Sequence, residues 1–381
     1  MTKKFTIVGG GIAGLTTAIA LQRIGIRASV LEATPVIRAV GAGLGLGANA
    51  IKALAQIGLA DEIISKGRCL DSFIICDEKG KPINITDSKA NSLKYGIDNF
   101  TIHRAVLHEF LLSKTDPAFL QMNRRVIGAE QDASGVSIFF QDGSVEKTDF
   151  LIVADGIHSY IRQKLLPESV PRYAGYTCWR AIIDNTDLSI SSTSETWGPQ
   201  GRFGIVPLSD NKLYWFACIN ETKAGSDKKN YRVKDLLQQF GQFHKPIPEI
   251  LSQTKDENLL FNDILDLKPI MNYAFGRILL IGDAAHGTTP NMGQGACQAM
   301  EDAVILMNVL KNSEHPQKAF IEFEKKRLKR THYITNTSAR IGKLAQLENK
   351  LACRIRNFLL RSLPARINEK QLEKLNNVQF D

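Results

Sequence analysis

Lys4–Phe5–Thr6–Ile7–Val8–Gly9–Gly10–Gly11–Ile12–Ala13–Gly14–Leu15 is the stretch that decides the fold. Its first five residues are a β-branched and aromatic run, which reads as a short buried strand. The chain then enters Gly9-x-Gly11-x-x-Gly14, and Thr16–Thr17–Ala18–Ile19–Ala20–Leu21 continues as a helix towards Gly25. Between a strand and a helix each glycine has a task. Gly9 allows the tight turn, Gly11 lets the backbone approach a pyrophosphate, and Gly14 lets helix and strand pack closely. The helix N-terminus meets the negative charge with free N–H groups and the positive end of its dipole. A second strand, Arg27–Ala28–Ser29–Val30–Leu31, ends at Glu32, near the separation of about 20 residues expected of a ribose-binding acid. Such an acid accepts from free ribose hydroxyls and repels a 2′-phosphate, so the resident nucleotide expected is FAD or NAD rather than NADP.

Outward from this unit the composition is that of an ordinary globular protein, with 381 residues, 44% hydrophobic and 23% charged. It excludes a disordered, collagen-like or coiled-coil chain, and the length allows two or three domains at about 100–200 residues each. A net charge of +9 suits an anionic ligand, an acidic membrane surface or nucleic acid, but no nucleic-acid-binding module is recognisable. Much of the charge lies in Lys325–Lys326–Arg327–Leu328–Lys329–Arg330, read with Glu322 and Glu324 as a solvated helix face. Cys69, Cys76, Cys178, Cys218, Cys297 and Cys353 show no CxxC pair and no metal-type spacing. Reduced thiols in a cytoplasmic protein are therefore expected, with no metal site. The apolar start contains Gly9–Gly10–Gly11 and lacks a small-residue cleavage site, which argues against a signal peptide. No run of about 18 apolar residues occurs, so no membrane-spanning helix is expected.

Choosing between FAD and NAD needs the rest of the chain. Arg38–Ala39–Val40–Gly41–Ala42–Gly43–Leu44–Gly45–Leu46–Gly47 is a second glycine-rich segment, but its GxGxGxG spacing is not another fingerprint. It reads either as a flexible loop or as backbone lying close against a flat ligand, and leads to an amphipathic helix from Asn49 to about Ile64. A later helix opens at His103–Arg104, and residues 136–140 with Asp142–Gly143 form a hairpin. Strand 150–153 runs into Asp155–Gly156, followed by Ser159 and Arg162. Strand 277–281 runs into Gly282–Asp283, after which the segment from Gly287 to Ala296 opens a helix at Cys297. Between these lie strands at 177–183, 194–197, 202–207, 212–219 and 259–265, with a helix at 233–243. Alternation puts Tyr214 and Phe216 on one face and Trp215 on the other.

Three motifs in this order resemble the single-component flavoprotein aromatic hydroxylases with the p-hydroxybenzoate hydroxylase fold. They are the N-terminal fingerprint, Asp155–Gly156 with Arg162, and Gly282–Asp283 with Pro290 and Gly293–Gln294–Gly295. The resemblance runs from Phe5 to Arg330 and is greatest to the salicylate hydroxylase and FAD-dependent urate hydroxylase branches. Tyr173–Ala174–Gly175–Tyr176–Thr177–Cys178–Trp179–Arg180, Arg202–Phe203–Gly204–Ile205–Val206–Pro207 and Tyr214–Trp215–Phe216 look like theirs. It implies an α/β fold, with a Rossmann-like FAD-binding domain, an inserted β-sheet substrate domain and C-terminal helices. The expected division is 1–70, 100–170 and 270–330 for FAD, 71–99 and 171–269 for substrate, and 331–381 for the helical end. FAD contacts are implied for Gly9, Gly11, Ala13, Gly14, Glu32, Ala33, Arg38, Gly45, Arg104, Val126, Asp155, Asp283, Pro290, Gly293, Gly295 and Ala296. Among these, Asp283 would bond the ribityl chain and Arg104 the phosphates or ribityl chain. Val126 would lie near the adenine, and residues 290–295 beside the pyrimidine edge of the flavin. Asp155, with Arg162, would be shared between FAD and a transiently bound NADPH.

The activity implied is an FAD-dependent monooxygenase that uses NADPH or NADH and dioxygen, through a flavin hydroperoxide, to hydroxylate an aromatic or heteroaromatic small molecule. Arg202 and Tyr214 match a substrate-contacting arginine and tyrosine of urate hydroxylase, whereas Trp179–Arg180 departs from that enzyme's pattern. No residue stands out as a general base; His103, His158 and His286 read as structural. The alternatives are an FAD-dependent reductase of an isoprenoid or quinone-type substrate, and a non-catalytic flavin-binding protein. The C-terminal region reads as helices at 317–335, 339–350 and 352–362. The last is basic, and is expected to pack over the flavin domain, with peripheral membrane contact as the other reading. A monomer and a homodimer are both compatible with the sequence.

Overall fold

In the computed structural model, residues 3–36 and 42–380 are described. Phe5–Val8 pairs in parallel with Ala28–Leu31 on one side and Phe150–Val153 on the other. Ile278–Leu280 adds in parallel to the outer edge of Phe150–Val153, and short edge strands complete a six-stranded sheet. Strands covered on both faces must be apolar throughout, which is why FTIV and FLIV read as continuous runs. Helices Ile12–Gln22 and Gly295–Lys311 pack against each other, and their buried residues share one core with the sheet. The three motifs thus leave the C-terminal ends of three adjacent strands, where ligands of such sheets lie.

A second sheet has seven strands, in the order Leu260–Asp266, Arg172–Asp184, Lys212–Asn220, Gly201–Pro207, Thr193–Gly198, Ser72–Asp77, Pro82–Asp87. Its pairings are antiparallel except between Thr193–Gly198 and Ser72–Asp77. One face buries Trp179, Phe203 and Trp215 against helices Val233–Phe240 and Ile247–Ser252. Tyr214 and Phe216 lie on the opposite face, as their two-residue spacing requires. Residues 126–148 form a separate three-stranded meander that includes the expected hairpin.

Several expectations need correction. The helix read from Asn49 to Ile64 is two, Ala48–Gln56 and Ala60–Ile64, because Gly58 takes a positive φ of 69° and turns the chain. The helices read at 317–335 and 339–350 are one 30-residue helix, Pro316–Ala345. The polar run Thr335–Asn336–Thr337–Ser338 stays helical because Thr335 and Ser338 are buried, and Ser338 Oγ donates to Thr289 O at 2.6 Å. The run 325–330 is not simply a solvated face. Arg327 points inward at the core period while Lys325 and Lys329 stay exposed. Finally, helix Lys350–Arg361 packs on the edge of the seven-stranded sheet rather than over the nucleotide-binding sheet. Arg356 donates to Trp197 O and Arg361 to Pro82 O. Ala365–Asn376, which follows it, is the helix tied to the nucleotide side, through Lys52 Nζ to Asn376 O. No helix among the described residues is long and apolar enough to cross a membrane.

Candidate cofactor cradle and substrate cavity

The first strand turns at Gly9, whose φ of +105° excludes most side chains and whose N–H donates to Leu31 O. A Cβ at Gly14 would sit 1.9 Å from Gly9 O, so helix and strand can approach only with glycine there. At Gly11 the same atom would meet nothing within 4 Å, which leaves the loop's outer side open. Helix Ile12–Gln22 begins without a side-chain cap and without an acid in its first turn, so its leading amides remain available to an anion. Ala13 is buried beside Gly282, and Ala33 follows Glu32 at the end of the second strand. Glu32 is held in place: Oε2 accepts from Gly10 N at 2.8 Å and Oε1 from Thr34 N at 2.8 Å.

Asp155 and Asp283 lie at the ends of neighbouring strands. Burial pushes the Asp155 carboxyl up to about 6, only partly offset by Ser159, and its Oδ1 has no partner within the protein. Asp283 opens a short helix; desolvation raises it, with His286 and Arg104 pulling the other way. Arg104, the first residue of helix Arg104–Ser113, therefore faces the same site. Pro290–Met292 makes one 3₁₀ turn and Gly293 takes φ +62°. Helix Gly295–Lys311 then starts uncapped and acid-free, with Ala296 in its first turn. Val126 is buried in the main core at the start of its strand, and Arg38 lies outside the described residues. Open glycine, uncapped helix starts and a partnerless buried carboxylate oxygen are the features a bound dinucleotide would satisfy, so the residues fit one.

Beneath this cradle is a buried network that the sequence reading missed. Asp302 accepts from Gly282 N at 2.8 Å through Oδ2 and from Arg327 Nε at 2.6 Å through Oδ1, and His286 Nε2 lies 2.7 Å from Oδ2. Glu301 takes Arg327 Nη1, Arg330 Nε and Asn49 Nδ2, each at 2.6 Å. Burial alone would raise both carboxyls; Arg327 acting on both, with His286 on Asp302 and Arg330 on Glu301, holds them below the usual range. The available signal was Glu301–Asp302, two adjacent acids in the middle of a mostly apolar helix. Arg162 also departs from its expected contact with a passing nucleotide. Its buried guanidinium is spent on the carbonyls of Ile157, Ser169 and Ala284. His103 caps its helix by accepting from Ala105 N.

Facing the cradle, a cavity of about 190 Å³ lies between Gly43–Leu46, the Pro290–Gly293 turn and the open face of the seven-stranded sheet. Gly45 lines it, and Gly43 lies so close to Tyr214 that a Cβ would fall 2.5 Å from its ring. Arg202 and Tyr214 both line the cavity, as do Arg180, Phe216, Cys178 and Cys218. The Arg202 guanidinium bonds Glu195 Oε1 at 3.1 Å and Gln346 Oε1 at 2.9 Å, and lies over the Tyr176 ring. Burial pushes the Tyr214 hydroxyl well above its ordinary range, against the pull of Arg180. Cys178 and Cys218 face each other across paired strands. The hydrogen bond from Cys218 draws the Cys178 thiol down against burial, with Arg180 helping, while Cys218 rises. Two guanidinium groups, Arg180 and Arg202, line the cavity beside the Glu195 carboxylate and the lowered Cys178 thiol, and offer charged donors to an anionic oxygen on a flat ring. Glu195, Gln346 and the cysteine pair gave no sequence signal, since each depends on strand register. Behind the wall made by Tyr176 Oη and Asn291 Oδ1, 3.1 Å apart, opens a cleft of about 920 Å³.

The chain is similar to known proteins over most of its length. The FAD binding domain family model matches residues 2–331. The aurachin C monooxygenase/isomerase of Stigmatella aurantiaca is 37% identical over 375 residues, covering 98% of this chain and 97% of that protein. The 2-heptyl-3-hydroxy-4(1H)-quinolone synthase of Pseudomonas aeruginosa is 28% identical and covers 94% of each chain. Klebsiella pneumoniae HpxO, crystallised with FAD and uric acid, superposes with a TM-score of 0.90 at 28% identity, over 98% of this chain and 96% of its own.

Proposed function

Because the chain belongs to the FAD binding domain family and is an FAD-dependent monooxygenase of aromatic or heteroaromatic compounds, we propose that its substrate is a fused heteroaromatic of the 4-quinolone type, held between Arg202 and Tyr214. The cavity lining carries this reading. Leu44, Val206, Phe216 and the Tyr214 ring offer apolar faces, with polar groups concentrated at Arg180, Arg202 and Glu195. Uric acid carries donors or acceptors on every edge and would leave several unpaired there, whereas a quinolone has one polar edge and one benzenoid edge. Two relatives support the reading, one acting on aurachin C and one named for a 4(1H)-quinolone.

FAD, when bound, supplies dioxygen activation with electrons from NAD(P)H. Of the chain's own residues, Gly9, Gly11, Ala13 and Gly14 would cradle the pyrophosphate, and Glu32 with Ala33 the adenosine ribose. Arg104, Asp155 and Asp283 would face the phosphates and ribityl chain, and Val126 the adenine side. Gly45, Pro290, Gly293, Gly295 and Ala296 would border the ring system, where the uncapped helix start offers amides to its pyrimidine edge. Arg202 would stabilise the oxyanion that makes the substrate ring electron-rich, Tyr214 would orient it, and the apolar lining would exclude water. The six-stranded and seven-stranded sheets would act as cofactor and substrate domains. The unpaired cysteines support a reducing, cytoplasmic setting.

The experiment is NADPH oxidation with 4-quinolones, urate and salicylate, followed by product mass. Stimulation by a quinolone, with a product one oxygen atom heavier, is expected. Stimulation by urate or salicylate alone would overturn the substrate assignment.

A further inference from the structure

Helix Lys350–Arg361 turns its apolar residues outward. Leu351, Ile355, Phe358 and Leu359 fall at i, i+4, i+7 and i+8, so they form one stripe, and they are 65%, 52%, 69% and 57% exposed. The opposite, buried side carries polar groups. Arg356 donates to Leu344 O, Ala345 O and Trp197 O, and stacks over the Trp197 ring; Asn357 accepts from Arg356 Nε. Arg361 fastens the end of the helix to Asp77 and Pro82 O. A surface helix ordinarily faces its apolar stripe to the core. Rotating this one to do so would strip Arg356 of its acceptors, so packing fixes the stripe outward.

The charge close to the stripe in sequence is predominantly positive. Arg340, Lys343, Lys350 and Arg354 are exposed and have no hydrogen bond or ion pair among the described residues, and the only acid between positions 340 and 361 is Glu348. We propose that this helix seats the enzyme on an anionic lipid bilayer, the stripe entering the boundary between headgroups and acyl chains and the cations meeting lipid phosphates. A second copy of the chain fits less well, since a twofold contact through the stripe would bring the same cations together. Gln346 and Glu348, just before the helix, line the cleft of about 920 Å³, so docking would bring that cleft near the bilayer. The docking itself does not depend on the substrate assignment.

The test is sedimentation of the FAD-loaded, full-length protein with vesicles of phosphatidylcholine alone and of phosphatidylcholine mixed with phosphatidylglycerol. Binding to the mixed vesicles, release by salt, and weak binding to phosphatidylcholine are expected. Phe358→Glu combined with Leu359→Glu should lower the bound fraction about tenfold, with flavin absorbance and thermal midpoint unchanged because both side chains are exposed. Equal absence from both vesicle types, or a double variant that binds like the parent, would overturn the proposal. A lipid-free dimer that ignores vesicles and that the same substitutions dissociate would assign the stripe to a second copy instead.

Discussion

Arg327, on the 30-residue helix, places its Nε 2.6 Å from Asp302 Oδ1 on the preceding helix, and both side chains are wholly buried. Through its other oxygen Asp302 takes the N–H of Gly282, the residue before Asp283. The ion pair therefore sets where the third motif leaves its strand, though neither partner touches the site. Arg327→Met should leave two buried carboxylates underneutralised and destabilise the protein by about 3–5 kcal/mol. Urea unfolding checks this, and Arg327→Lys, which keeps the charge but loses the fork, should fall between the two.

Two of the three fingerprint glycines, Gly11 and Gly14, separate packing from ligand approach. Gly14→Ala would force a Cβ to 1.9 Å from Gly9 O, whereas Gly11→Ala meets only open space. Gly14→Ala should therefore lower both the thermal midpoint and FAD retention. Gly11→Ala should keep the midpoint of the FAD-free protein and lose FAD affinity alone. Flavin retention on gel filtration, set beside thermal unfolding, distinguishes them; equal loss of stability in both would refute the contrast.

The cradle was legible from local order, because strand, glycine loop, helix and acid follow one another within Phe5–Glu32 and strand-end acids recur at Asp155 and Asp283. What escaped depends on distant partners. Arg327 sits in a basic run that looks solvated until Glu301 and Asp302 are placed opposite it. Arg162 stands at a motif position but is consumed by three carbonyls. Gln346 reaches Arg202 across 144 positions of sequence, and Cys178 meets Cys218 only once the strand register is set. Thr335 and Ser338 look like a helix break because polar residues at those positions are ordinarily solvated, and here they are not.

Arg202 is already half engaged, with Glu195 and Gln346 holding its orientation. Arg202→Gln removes a charge that lines the cavity. A lost charged hydrogen bond of about 1.5–3 kcal/mol corresponds to a fall of roughly ten- to a hundredfold in kcat/KM. It should also uncouple NADPH consumption from oxygenated product. Gln346→Ala, which frees the guanidinium to move and removes the donor to Asn220 Oδ1 but keeps the Arg202 charge, should raise KM less and leave most of the coupling. Product formed per NADPH consumed is the readout; unchanged coupling in Arg202→Gln would remove the residue from substrate binding.

Asp155 makes a prediction about pH whose sign follows from its environment. Burial raises its carboxyl from an ordinary 3.8 to about 6, and Oδ1 finds no partner within the protein. The fold therefore favours the protonated form. Its relative stabilising effect is complete below pH 3.8 and is lost as pH rises through about 6. Above that, the ionised group costs the FAD-free protein about 2–3 kcal/mol, at roughly 1.4 kcal/mol per pH unit. Asp155→Asn is neutral throughout, so it should be the more stable protein at neutral pH, with an advantage that shrinks as the solution is acidified through the raised pKa. FAD affinity should move the opposite way, because the Oδ1 left unpaired by the protein is the acceptor proposed for the bound nucleotide. Urea unfolding of both FAD-free proteins from neutral to acidic pH measures the first effect, and flavin titration the second. A stability difference that stays flat with pH would mean that the carboxyl is already partnered.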